Sequence, residues 1–179
     1  MTPGARRKRV RSMITAVLVL PGTVLVYVPA LLLWASLDAP LAAAVQPPDN
    51  WEFWIALLLA AASLPLMGGT SRLFLDVGDG TPAPWDPPRR LVVRGPYRYV
   101  RNPMISGVLI MLGAEALYFG SWWVAGWMGV FFLGNAFYFP RVEEKGLQAR
   151  FGDAYGIYKA NVPRWLPRIT PWTPNDDGA

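Results

Sequence analysis

The stretch NPMISGVLIMLGAEALYFGSWWVAGWMGVFFLGNAFYFP, from Asn102 to Pro140, contains one charged residue, Glu115, in 39 positions. A helix rises about 1.5 Å per residue, so about 20 apolar residues cross a hydrocarbon core about 30 Å thick. The stretch is about twice that length and must turn back. Glycine and aromatic residues at Phe119–Trp122 predict a hairpin between two crossings, residues 103–119 and 122–140.

Two further uncharged stretches precede this one, and the chain as a whole is 53% hydrophobic and 16% charged. Residues 12–37 and 53–71 are each long enough to cross a membrane, which predicts four crossings in all. The basic run RRKRVR, residues 6–11, would also suit a cleaved signal peptide. We favour an uncleaved helix, bent near Pro21 or Pro29, because the apolar stretch is too long for a signal peptide and lacks a clear small-residue cleavage site.

All 17 lysines and arginines fall in three segments, Arg6–Arg11, Arg72–Arg101 and Arg141–Arg168. Positive residues concentrate on the cytoplasmic side of membrane proteins, and four crossings place these three segments on one side. The sequence therefore predicts a single all-α membrane domain, residues 1–179. It would be a polytopic bundle with a cytoplasmic loop at residues 72–101 and both termini cytoplasmic, and we expect a bacterial inner membrane protein.

The C-terminal segment, residues 141–179, is predicted to be cytoplasmic and to contain an amphipathic helix. Its apolar side chains recur at spacings of four, four and three residues, at Leu147, Phe151, Tyr155 and Tyr158. Glycines interrupt this pattern. We expect the helix to pack beneath the bundle or to lie on the membrane surface.

The composition excludes several chemistries. The chain has no cysteine and no histidine, which removes thiol nucleophiles, thiolate metal sites, the commonest metal ligand and the usual base at neutral pH. We therefore expect no bound metal. The net charge of +5 sits at one membrane face, so we expect membrane lipids and no nucleic acid as partners.

Asn102 and Pro103 mark the predicted start of the third crossing, since asparagine is a favoured helix N-cap and proline a favoured first residue. The unpaired amide groups there, with Arg98 and Arg101 just before them, would favour a bound carboxylate or phosphate. A capped helix whose arginines contact lipid headgroups explains the same residues.

Glu143 and Glu144 follow the fourth crossing at the same membrane face. They are either ordinary surface acids or the part of a binding site that contacts a cationic group of the ligand. A helix start that attracts anions, opposite a carboxylate pair, would suit a zwitterion such as an amino acid. Glu115 lies about one turn from the outer hairpin; we expect it to reach the outer headgroups, with a functional intramembrane acid as the alternative.

Three motifs in this order resemble the isoprenylcysteine carboxyl methyltransferase family, integral membrane enzymes related to phospholipid methyltransferases. They are GPYRYVRNP followed by Gly107, the pair Glu143–Glu144, and FGDAYGIYKANVPRW from Phe151. The similar part of the chain is Leu91–Pro167, and the proline-rich loop before it is similar to a bacterial branch of the family.

The resemblance implies that S-adenosylmethionine is the methyl donor, bound at the cytosolic face without a Rossmann domain. It implies that Glu144 contacts the amino group of the cofactor and that Arg72 orients the acceptor as a catalytic residue. The loop around Pro163–Arg164 would close the site. The implied cofactor-binding residues are Tyr97, Arg101, Asn102, Pro103, Gly107, Glu143, Glu144 and Tyr155.

Two positions depart from the family pattern. Asn102 stands where most members have histidine, and Ile105 stands where many have tyrosine. Asparagine can still cap a helix and donate a hydrogen bond, which preserves a cofactor contact, whereas isoleucine has no hydroxyl group.

The sequence thus predicts a membrane methyltransferase acting on a lipophilic or membrane-partitioned carboxylate, thiol or amine. The alternative is a non-catalytic lipid-binding or assembly protein whose arginines contact anionic headgroups.

Overall fold

The structure is a computed structural model that describes residues 15, 18–38, 43–81 and 86–174. The basic run at residues 6–11 and most of the predicted start of the first crossing lie outside these described residues. Within them the fold is all-helical and contains no strand, which confirms the all-α part of the predicted fold class.

The described residues form five helices, which we number in chain order. They are α1 (Leu18–Ala35), α2 (Trp51–Asp76), α3 (Pro103–Tyr118), α4 (Trp122–Tyr138) and α5 (Glu144–Asn161). Helices α1 and α2 are long and apolar enough to cross a membrane, whereas α3 is apolar but shorter. The count of four crossings stays a prediction.

Helix α1 contains a π-helical turn, Thr23–Tyr27, between the two prolines at which a bend was expected. Proline lacks the N–H group that would bond four residues back, so Pro29 leaves a carbonyl free within this turn. The indole of Trp127, on α4, donates a hydrogen bond of 3.0 Å to the carbonyl of Val24. The irregular turn is thus satisfied by a neighbouring helix, as apolar surroundings require.

Helices α2 and α3 form the most extensive pairing of elements in the structure. Their close approach depends on Gly107, because a Cβ atom there would lie 2.7 Å from Cγ of Met67. The buried hydroxyl of Thr70 donates to carbonyls of its own helix, so the contact buries no unsatisfied hydroxyl there.

The turn between α3 and α4 includes Gly120, whose φ of +53° is one that glycine adopts readily. Ser121 is the N-cap of α4, and its hydroxyl accepts from the amide of Val124. This is the hairpin expected at Phe119–Trp122. The amide of Ala44 donates to the carbonyl of Phe119, which ties the segment before α2 to the same turn.

The loop after α2 doubles back on itself over two glycines. A Cβ atom on Gly80 would lie 2.6 Å from the carbonyl oxygen of Pro87, and one on Gly78 would lie 2.8 Å from that of Phe74. These glycines therefore permit backbone packing that brings the Pro87–Pro88 segment over the end of the bundle.

A second π-helical turn, Phe139–Glu143, joins α4 to α5. Pro140 cannot donate a backbone hydrogen bond, and the amide of Glu144 bonds five residues back, to the carbonyl of Phe139. The wider turn determines the rotation about the helix axis at which Glu143 and Glu144 follow α4.

Helix α5 is kinked at Gly152, which has φ 54° and ψ −133°. The expected interruption by glycine thus occurs at one position. Beyond the kink, Tyr155 and Tyr158 are buried with Val162, and the apolar residues Leu147 and Phe151 pack against them. The helix therefore packs against Leu91 and Val93 of the loop before α3 and against Trp172, through the side chains that the sequence spacing indicated.

We expect Gly152→Ala to lower the free energy of unfolding by about 1–3 kcal/mol, because alanine is strained at this positive φ. Space is not the cause, since no atom lies within 4 Å of the Cβ position. Gly156→Ala is the matched control, because Gly156 is helical and a Cβ there meets only ordinary contacts at 3.7 Å. Thermal unfolding of both variants in one detergent tests this, and equal midpoints would contradict it.

Candidate functional site

A cavity of about 380 Å³ lies where the loop after α2, the start of α3 and the turn into α5 meet. Six of the eight predicted cofactor-binding residues line it: Tyr97, Arg101, Asn102, Glu143, Glu144 and Tyr155. The other two do not. Pro103 is buried as the first residue of α3, and Gly107 lies against Met67.

Arg72 is exposed on α2 and does not line the cavity. The structure therefore does not bring it to the other predicted residues, and its role in catalysis stays a prediction.

Tyr97 fixes the start of the cavity wall. It lies in the 3₁₀ turn Gly95–Arg98, is buried, and packs edge-on against Phe74 with ring centroids 5.5 Å apart. Its backbone carbonyl accepts a hydrogen bond of 2.7 Å from the hydroxyl of Tyr158. Burial raises the pKa of both phenols, so they remain neutral.

Glu144 is the charged centre of the site and is 4% exposed. Its Oε1 accepts hydrogen bonds from Nη1 of Arg101 at 2.8 Å and from Nε of Arg164 at 2.7 Å. Nζ of Lys159 lies 2.8 Å from Oε2 and forms an ion pair with it, although the angles are not those of a hydrogen bond. Three cations thus surround one carboxylate.

Burial alone would raise the pKa of Glu144, but the contacts from Arg164 and Lys159 and the charge of Arg101 lower it to about 2. The folded-state pKa is therefore below that of the unfolded chain, about 4.5. The resulting stabilisation is present above pH 4.5 and is lost as the pH falls towards 2. Glu144 is ionised throughout the neutral range.

Glu143 has the opposite electrostatics. Burial, followed by the negative charge of Glu144, raises its pKa to about 7, and Arg150 offsets only part of this rise. Within the described residues no ion pair or hydrogen bond engages its carboxyl group. The cavity wall thus carries an acid that a bound cation would stabilise in its ionised form.

Two buried donors in the same wall have no partner within the described residues, Nε of Arg101 and Nδ2 of Asn102. Asn102 occupies the predicted N-cap position of α3, but its side chain makes no capping hydrogen bond. Its backbone, at φ −118° and ψ 53°, lies outside the extended conformation typical of capping residues. The expected cap is therefore wrong for the side chain, which leaves the amide group available to a ligand.

Tyr155 completes this wall. It is almost fully buried, and its hydroxyl oxygen accepts from Nη1 of Arg101 at 3.4 Å. Burial, followed by the charge of Glu144, raises its pKa, so the phenol stays neutral beside the ion cluster.

Sequence reasoning missed several residues of the site. Pro87 and Pro88 line the cavity because of the path of the loop. Lys159 does not line the cavity but reaches Glu144 across the kink at Gly152. No periodic spacing in the sequence indicates either contact. Arg150 also lines the cavity, and its side chain donates to the carbonyl of Pro88 at 3.1 Å.

Comparison with known proteins gives one family. The description of phospholipid methyltransferases matches residues 53–154, which is more than half of the chain. The chain belongs to the phospholipid methyltransferase family. This confirms the resemblance drawn from the three motifs, because isoprenylcysteine carboxyl methyltransferases are related to that family. No curated protein and no solved structure matches the chain significantly.

Membership of the phospholipid methyltransferase family implies a membrane methyltransferase, in agreement with the two helices of membrane-spanning length. The matched part contains the α2–α3 pair, both glutamates, and the tyrosine and arginine motif, by which we mean GPYRYVRNP at residues 95–103. It ends just before Tyr155, so Lys159 and Arg164 lie beyond it. Two of the three cations that contact Glu144 therefore come from a part of the chain that the family description does not cover.

Proposed function

We propose that the protein transfers a methyl group from S-adenosylmethionine to a lipophilic or membrane-partitioned carboxylate, thiol or amine at the cytoplasmic leaflet. The observation that carries this proposal is the pairing of unsatisfied groups in one cavity. Glu143, whose carboxyl group is unpaired within the described residues, shares the cavity with two donors that also lack a partner there, Arg101 Nε and Asn102 Nδ2. Acceptor and donors together suit a zwitterion.

The cofactor has a carboxylate and an ammonium group at its methionyl end, and these residues fit both. Asn102 and Arg101 would hold the carboxylate next to the N-terminus of α3, where free amide groups favour an anion. Glu143 would hold the ammonium group. When bound, the cofactor supplies an activated methyl group on a sulfonium.

Glu144 was expected to contact the amino group of the cofactor, and this assignment stays a prediction. Its three cationic contacts support a different division of roles. In our proposal Glu144 holds Arg101 and Arg164 in position, and the adjacent Glu143 is the carboxylate that meets the ligand.

Part of the cavity lining is apolar, which favours a lipophilic acceptor. This part consists of Met104, Ile105, Phe139 and Val142, which carry no charge. Holding an apolar acceptor beside the bound cofactor would supply orientation, which alone lowers a barrier by several kcal/mol. A carboxylate or thiolate acceptor needs no base, consistent with a chain that has no histidine.

Lipid binding without catalysis predicts arginines that are free to contact headgroups. Several are instead bonded within the protein: Nε of Arg98 donates to the carbonyl of Trp172 at 2.9 Å, and Arg101 and Arg164 contact Glu144. These contacts favour the enzyme.

Calorimetric titration of the purified, folded protein with S-adenosylmethionine tests cofactor binding. Incubation with methyl-labelled cofactor and a total lipid and metabolite extract, followed by identification of the labelled product, tests the transfer. Absence of binding at millimolar cofactor would overturn the proposal. Binding without any labelled product would favour a non-catalytic role.

The affinity for S-adenosylmethionine should increase as the pH rises from about 5.5 to 7 and then level off. Glu143 has a pKa of about 7 when unpaired, and a bound ammonium group would lower it, so binding below pH 7 must release a proton. The slope should approach tenfold per pH unit at most. Titrations at several pH values measure it, and Glu143→Gln should flatten the curve. An equally steep curve in that variant would contradict the assignment.

A further inference from the structure

The segment after α5, residues 163–172, runs along the tyrosine and arginine motif; we call it the C-terminal strap. The amide of Arg101 donates to the carbonyl of Pro163, and the amide of Arg168 donates to the carbonyl of Tyr99, both at 2.9 Å. A third bond of 2.9 Å joins the amide of Trp172 to the carbonyl of Arg98. The strap is therefore a fixed part of the cavity end of the fold.

Trp165 connects the strap to the apolar surface of α4. Its ring lies 5.4 Å from that of Phe132 and 5.9 Å from that of Phe139, between ring centroids. These two phenylalanines are seven residues apart, or about 10 Å along a helix. If α4 crosses the membrane as predicted, Trp165 lies at the depth of its last two turns.

Two apolar side chains of the strap have no covering within the described residues: Leu166 is 80% exposed and Ile169 is 99% exposed. Leu133 on α4, which faces lipid in the predicted topology, is 66% exposed. Leu166 directly follows Trp165, which packs on Phe132 of α4, so the strap presents exposed apolar side chains beside the apolar surface of that helix.

Both arginines of the strap bond to the protein. Arg164 contacts Glu144, and Nη1 of Arg168 donates to the carbonyl of Asn161 at 2.6 Å. A segment with its cations held on one side and bare apolar side chains on the other is typical of insertion at a membrane interface, where tryptophan is also favoured.

We infer that the C-terminal strap inserts Leu166 and Ile169 into the acyl chains of the leaflet on the cavity side of the bundle. The occupant of this surface is lipid, because the strap packs through Trp165 on α4, the helix whose exposed apolar side chains face lipid in the predicted topology. Insertion holds the strap from the lipid side, while the contact between Arg164 and Glu144 holds it from the protein side. The bilayer thereby helps to keep one wall of the cavity in place. This inference rests on the membrane crossing of α4 and not on the methyl transfer.

The chain has no native cysteine, so a single introduced cysteine carries one fluorescent label. Four variants would be compared in phosphatidylcholine vesicles containing phosphatidylglycerol: Leu166→Cys, Ile169→Cys, Leu133→Cys as the lipid-facing reference, and Ala149→Cys as the reference for water. Ala149 is exposed on α5. Quenching by a lipid with a nitroxide on its acyl chain reports contact with lipid, and quenching by aqueous iodide reports contact with water.

We expect the labels at positions 166 and 169 to lose fluorescence with the lipid nitroxide, as at 133, and to be protected from iodide relative to 149. Strong iodide quenching at 166 and 169, with lipid quenching only at 133, would overturn insertion alone. Absence of lipid quenching at 133 would overturn the crossing of α4 and the insertion together. Protection of 166 and 169 from both quenchers, with cross-linking between two chains, would mean that a second copy covers the patch, which also overturns the inference.

Discussion

Glu144→Ala should lower the free energy of unfolding by about 3–5 kcal/mol, the typical cost of removing one partner from a buried ion pair. The substitution leaves Arg101, Arg164 and Lys159 without their common counter-charge, and Arg101 is itself only 10% exposed. Like charges that Glu144 now separates would then face one another. Thermal unfolding in a single detergent, followed by tryptophan fluorescence, measures the change.

Glu143→Ala is the matched control, because it removes the neighbouring carboxyl group and no ion pair. We expect it to stabilise the fold, because ionisation of Glu143 is unfavourable when its folded-state pKa is raised from 4.5 to about 7. The stabilisation should grow as the pH rises from 4.5 to about 7 and then level off, so it should be present at pH 6 and larger at pH 8. Equal destabilisation by the two alanines would contradict the assignment of Glu144 as the structural centre of the site.

Glu143→Gln should weaken the binding of S-adenosylmethionine roughly 10- to 150-fold, which corresponds to the loss of about 1.5–3 kcal/mol from a hydrogen bond to a charged group. The folded state should survive, because the Glu143 carboxyl group has no ion pair within the described residues. Isothermal titration at pH 7.5, where the wild-type carboxyl group is mostly ionised, measures the difference.

Asp153→Asn serves as the control for a change of net charge alone, since Asp153 is exposed on α5 and does not line the cavity. Its affinity for the cofactor should match that of the wild type. If Glu143→Gln bound as tightly as Asp153→Asn, the ammonium group would have to be assigned elsewhere.

Much of the fold could be predicted because its signals are local. The stretch between Asn102 and Pro140 has Glu115 as its one charged residue and glycine at position 120, which predicts two helices and a turn. The spacing of Leu147, Phe151, Tyr155 and Tyr158 predicts which side of α5 is buried, and the structure buries that side. Hydropathy and periodicity depend on neighbouring residues, so a single sequence carries them.

The division of roles between Glu143 and Glu144 could not be predicted in this way. Two adjacent glutamates look alike in a sequence, and which one meets the cations depends on the width of the turn that precedes them. Pro140 predicts a missing amide group, but not that a π-helical turn results. The kink at Gly152, which brings Lys159 back to Glu144, depends equally on contacts between distant segments.

The structure brings together most, but not all, of the site residues taken from the family resemblance. One cavity is lined by Tyr97, Arg101, Asn102, Glu143, Glu144 and Tyr155, although no spacing in the sequence places α3 beside α5. Gly107 lies in the same motif but serves helix packing. A sequence motif therefore contains residues that pack behind a site as well as residues that line it.

The C-terminal strap also has a consequence for biosynthesis. Chains fold as they are made, with the N-terminal parts first. The backbone partners of Arg98, Tyr99 and Arg101 lie in the strap, beyond residue 162, so the ribosome delivers them after all five helices. The helices can therefore form while Glu144 still lacks Arg164, and the strap adds this contact afterwards. A premature stop codon after residue 162 would leave Glu144 with Arg101 and Lys159 as its only cations among the described residues.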